Sequence, residues 1–112
     1  MPHYHVRVTK KSDRTSDALE LDMSKDELME QIVKPFTQGE SFMCGGEPID
    51  PFDVERIHIN ETEQPSSVLI PQIKAERSES EIVTMISDEW YVTKKGKNVT
   101  REFVKTPPKK KN

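Results

Sequence analysis

Cysteine is almost absent. Cys44 stands alone, so no disulfide can form within the chain, and a reducing, cytoplasmic setting is expected. No apolar run nears the roughly 18 residues that would span a bilayer. The opening MPHYHVRVTKK has no signal-peptide core. Without a secretion signal, the N-x-T sequons at Asn60 and Asn98 are read as chance. Phosphate-loop patterns are missing too: neither G-x-x-x-x-G-K-[ST] nor G-x-G-x-x-G occurs. Apolar residues make up only 32 % of the 112, low even with the four glycines added, against roughly 45–50 % in ordinary domains. Such a chain can build a core for about 70 to 80 residues, and the remainder is expected to be loosely held.

Charge is plentiful instead, at 33 %. The net charge of −3 hides an asymmetry, because Lys105, Lys109, Lys110 and Lys111 contribute +4 and leave −7 on the rest. An acidic body argues against a broad phosphate-binding face, so nucleic acid is not an expected partner. The twenty carboxylates lie scattered on expected outer faces, with no pair marked as acid and base.

The chain is organised around residues 42–62, FMCGGEPIDPFDVERIHINET. A short strand, a Gly45-Gly46 reversal, a helical turn started by Asp50-Pro51, and a strand with Ile57 and Ile59 inward and His58 and Asn60 outward follow from its pattern. Before it, Tyr4, Val6 and Val8 alternate with His3, His5 and Arg7, and Leu19, Leu21 and Met23 alternate with Glu20 and Asp22. Period two in both segments predicts an antiparallel hairpin with one wet face. Ser24 and Glu27 form a capping box for a helix whose stripe is Leu28, Met29, Ile32, Val33 and Phe36. Pro35 should end or kink it near Val33, and Gly39 should terminate it.

Pro65-Ser66-Ser67 starts a second helix through Ile73, where Pro71 is tolerable only near the first turn. KAERSESE has no apolar face and reads as linker. Ile82–Met85 and Trp90–Val92 are apolar again, and Gly96 to Val104 is compatible with a small hairpin or a short helix. KTPPKKKN reads as a disordered tail. The expected class is α+β: a small β-grasp-like mixed sheet in ββαββ order on one main helix, with a second helix and a loosely held C-terminal segment. The expected division is a compact domain over 1–76, linker and aromatic segment over 77–104, and tail over 105–112.

Several groups invite chemistry. His3, His5 and His58 could bind zinc from one sheet face, but no Cys/His spacing supplies four ligands, and a solvated polar face is the reading adopted. Cys44 beside two glycines has no nearby base and reads as structural. Trp90-Tyr91 either docks within the chain or meets a partner. No cofactor, metal or enzymatic activity is expected. Trp90, Tyr91, His5, Arg7 and His58 are the candidate interaction residues, for a protein partner or self-association. The runner-up is a nucleic-acid or nucleotide sensor using Arg7, Lys10, Lys11 and the lysine tail.

The pieces D-M-S-K-D-E-L, V-K-P-F-x-x-G, G-G-E-P-I, D-V-E-R-I-H-I-N-E-T and S-S-V-L-I-P-Q-I-K-A-E-R, with G-K-N-V-T-R-E-F-V before P-P, resemble a module of prokaryotic multidomain proteins. That module precedes Toll/interleukin-receptor-like (TIR-like) or nucleotide-binding effector domains in phage-defence systems. The resemblance spans residues 3 to 104 and implies an accessory interaction module, with no catalytic residues to carry over. The chain ends where an effector would begin.

Overall fold

A computed structural model describes residues 1–78 and 87–110. Strands β1 (His3–Lys10), β2 (Ala18–Met23), β5 (Val54–Thr62) and β6 (Lys97–Asn98) form one sheet in the order β2-β1-β5-β6, antiparallel at each pairing. Strands β3 (Phe42–Cys44) and β4 (Glu47–Ile49) form a separate hairpin. The α+β class is as expected. The sheet is antiparallel where a β-grasp-like mixed one was expected, because the helix and hairpin return the chain beside β1 running the opposite way.

Ser24 and Glu27 make the capping box, with hydrogen bonds of 3.1 and 2.9 Å. The helix they open, α1, runs through Lys25–Leu28, Met29–Val33 and Lys34–Thr37. Pro35 neither ends nor breaks it. The middle segment is a π-helical turn in which the Lys34 N–H reaches the Met29 carbonyl, and this wider turn accommodates a residue with no N–H of its own. Leu28, Ile32, Val33 and Phe36 pack on Val6, Val8 and Ile59 from the sheet and Phe42 and Ile49 from the hairpin. Each such side chain contributes roughly 1.5–3 kcal/mol on burial.

The opposite face of the sheet is not wet. Helices α2 (Ser66–Ser78) and α3 (Asp88–Val92) cover it, and Leu69, Ile73 and Val92 form a second core with Leu21. Leu21 lies on that side by register, since Leu19 pairs with Arg7, and a bulge beyond it returns Met23 to the other side. The three residues of β1 from Tyr4 to Val6 face the four of β2 from Met23 to Glu20, and Asp22 takes a left-handed φ of 60°. Strict alternation would put Leu21 and Met23 on one face; the bulge turns Met23 into the first core and leaves Leu21 for the second. Pro71 lies inside α2, beyond its first turn. It and Ser67 are exposed, so the carbonyl left without its helical donor can meet water.

The C-terminal segment is woven in, contrary to expectation. After β6, Val99 enters the first core, and α4 (Thr100–Phe103) sets the Phe103 ring edge-on to Tyr4 at 5.5 Å. Gly96–Val104 is thus both a short strand and a short helix. The stretch that follows is tied back at one point: the Lys109 N–H donates to the Thr37 carbonyl at the end of α1. Gly39, at φ 74°, permits that approach, since a Cβ there would stand 2.1 Å from the Lys109 carbonyl oxygen. The apolar stretch Ile82–Met85 lies outside the described residues, as does Lys111. Among the described residues no helix is long and apolar enough to cross a membrane.

Candidate functional site: a buried polar layer and an open strand edge

His5 and Arg7, expected on a solvated face, are 0 % and 8 % exposed. They belong to a polar layer between the sheet and the α2–α3 pair. His5 Nδ1 accepts from the Asp22 N–H at 3.1 Å, and its Nε2 lies 2.8 Å from Thr62 Oγ1, which itself donates to the Gln64 carbonyl. Those roles fix a neutral ring with the proton on Nε2. Burial lowers the His5 pKa, opposed by Asp22 and assisted by His3. The Asp22 carboxylate then caps α2 across the fold, accepting from the Ser66 N–H at 2.7 Å and from the Ser66 hydroxyl. The cap expected from Pro65-Ser66-Ser67 alone is therefore completed by a strand residue.

Arg7 stacks on Trp90, its Cζ 4.5 Å from the ring centroid, and donates to Thr93 Oγ1 at 3.2 Å. Trp90 donates its indole N–H to Asp17 at 2.8 Å, and Thr9 donates to the other Asp17 oxygen. Tyr91 packs against the second core and lies edge-on to Trp90. Of the two fates open to the Trp90-Tyr91 pair, docking within the chain is the one found. His58 is half-buried beside Arg7, and burial followed by the Arg7 charge lowers its pKa. Its Nε2 and the neighbouring Asn60 Oδ1 are the buried polar atoms without a hydrogen-bond partner among the described residues.

The three histidines do not gather, and among the described residues no group of three or more His, Cys, Asp or Glu is placed to hold a metal. Cys44 is buried, its thiol directed at the Ala18 carbonyl, and burial followed by the Glu20 and Glu47 charges pushes its pKa up to about 12. A thiol so protonated is a poor nucleophile. The basic residues of the nucleic-acid reading are dispersed in role: Arg7 is interior, Lys10 is ion-paired with Glu47, and Lys109 is tethered through its backbone.

What remains open is an edge. On the β2 side the Gly45 turn crowds the strand at Leu19, with the Gly45 N–H donating to the Glu20 carboxylate at 3.0 Å and no room for a Cβ beside the Leu19 backbone. On the β5 side the cover is partial. The Ile59 backbone N–H and carbonyl point away from β1, donating to Thr100 Oγ1 at 2.8 Å and accepting from the Val99 N–H at 2.9 Å. The ladder repeats every two residues, so the Ile57 N–H and carbonyl point the same way. β6 pairs only with Asn60 and Glu61, leaving Ile57, which pairs with Val8 on its inner side, without a strand partner on its outer side. Two clefts, of about 290 and 310 Å³, share Arg56 and Ile57 as walls. The first adds His58, Asn98 and Arg101, and the second adds Phe36, Val54, Val104 and Pro108. Arg56 and Arg101 are exposed, with no ion-pair partner among the described residues. Of the expected site residues only His58 touches this edge. Arg56, Ile57 and Arg101 carried no motif; only knowing where β6 stops would have singled them out.

No protein-family model, curated protein or solved structure matches this chain.

Proposed function

We propose that the chain is a non-catalytic protein-interaction module, working as the accessory domain of a TIR-like or nucleotide-binding effector in a prokaryotic defence system. The observation that carries the interaction reading is the partly unpaired outer edge of β5 at Ile57, bordered by two clefts, in a sheet with a hydrophobic core on each face. Unpaired strand edges are templates for an added strand, and main-chain hydrogen bonds there supply affinity independent of partner sequence. The defence setting rests on the resemblance over residues 3 to 104. The buried His5 imidazole and Arg7 guanidinium and the half-buried Trp90 indole support the non-catalytic reading, since their bonds hold the second helix layer in place.

A random-peptide selection on the immobilised full chain tests the proposal. Enriched peptides should slow hydrogen exchange of the Ile57 amide, and Ile57→Pro, which removes the outward N–H, should abolish their binding while the chain stays folded by circular dichroism. Failure to enrich any peptide, or enrichment that leaves the Ile57 amide unprotected, would count decisively against the edge as the interaction site.

A further inference from the structure

The two clefts differ in chemistry, and strand geometry says which side chain of an added strand enters each. Side chains of paired strands share a face with their cross-strand neighbours. Arg56 and His58 project toward the polar face of the sheet, in line with their β1 partners Thr9 and Arg7. Ile57 projects toward the first core, where it packs with Val54 and Val104. A residue opposite Ile57 would therefore turn toward the apolar cleft walled by Phe36, Val54 and Pro108. Its two neighbours would turn toward the cleft carrying Arg56 and Arg101.

We infer that the β5 edge selects an extended peptide with an apolar residue between two acidic ones. This deepens the interaction-module reading and rests on it. Charge complementarity carries the choice of acid. Among the described residues Arg56 and Arg101 stand without ion-pair partners, the chain carries a net charge of −3, and Arg56 and Arg7 both place positive charge by His58. Glu102, the acidic residue of the same cleft, is engaged with Lys97 at 3.6 Å. Carboxylates match the planar guanidinium fork, and the Ile57 N–H and carbonyl fix the strand beside it.

The test uses fluorescent peptides with a threonine-glutamate-valine-glutamate-threonine centre, and versions with glutamine or lysine in place of glutamate, titrated into the full chain at low salt. The glutamate peptide should bind at least about tenfold more tightly than the lysine peptide, and added salt should narrow the gap. Arg56→Ala and Arg101→Ala, both at exposed positions, should each weaken the glutamate peptide about fivefold and leave the glutamine peptide unchanged. Equal binding of all three peptides overturns the acidic preference and leaves the edge reading standing. Binding by none of them overturns both. Inorganic phosphate or a single-stranded oligonucleotide displacing the glutamate peptide at equal concentration would mark the arginines as a phosphate site and overturn the inference.

Discussion

His5 shows how one side chain can bind three segments together. Its ring accepts from the β2 bulge at Asp22 and meets Thr62 near the end of β5, while Asp22 caps α2. A proton added to Nδ1 would face the Asp22 N–H, donor against donor. The ring is neutral in the fold with its pKa lowered, chiefly by burial, from 6.5, the value expected when unfolded; His58 is lowered likewise. Below that value the unfolded chain takes up protons the folded chain refuses, so stability is full above about pH 6.5 and declines as pH falls toward the folded values. Urea midpoints measured from pH 7.5 to 5 should drop with acidity. His5→Gln should lower the midpoint at pH 7.5 and flatten the slope, whereas an unchanged slope would remove His5 from the account. Asp13 and Glu27, whose pKa values are lowered by hydrogen bonds from Thr15 and Ser24, add their own loss only in the carboxylate range.

Among the elements, the five-residue helix α3 stands out for what it does to its neighbours. Too short to persist alone, it is capped by Ser87 and fastened to the sheet by Trp90, through the stack on Arg7 and the hydrogen bond to Asp17. The stack gives a nearly buried guanidinium an electrostatic partner besides Thr93. Trp90→Phe keeps a ring face and loses the indole donor, an expected cost of about 1 kcal/mol. Trp90→Ala also strips the cover from Arg7 and should cost about 3 kcal/mol. Denaturant titration should therefore rank wild type, Trp90→Phe and Trp90→Ala in descending order; equal losses would mean that the ring face contributes nothing.

At the scale of the whole molecule the chain closes on itself. β6, Val99 and Phe103 complete a core begun at residue 4, and Lys109 returns to the end of α1. The division expected after residue 76 therefore cuts through structure. A truncated chain of residues 1–76 would lose Val99 from the first core and Val92 from the second, baring His5 and Arg7. It should show no cooperative thermal transition and poor dispersion of amide resonances, while the full chain shows both. A cooperative melt of the fragment would make the C-terminal segment an ornament.

Much of the local structure was legible beforehand, because its causes are local. Ser24 and Glu27 announce a helix start, Gly45-Gly46 a reversal, and the period-two runs of β1 and β5 their strands. The faces were legible only in part. Alternation says that Tyr4 and His5 point opposite ways, but not that a second helix layer waits on the His5 side. The Asp22 bulge carries no sequence signal that separates it from an ordinary polar strand residue. The candidate site was hidden for the same reason: an open edge is defined by where another strand stops. The sequence by itself determined the elements, through capping, turn chemistry and hydrophobic spacing within a few residues. Only the tertiary structure decided which polar residues are interior and which peptide groups are left unpaired, because burial and strand pairing depend on segments distant along the chain.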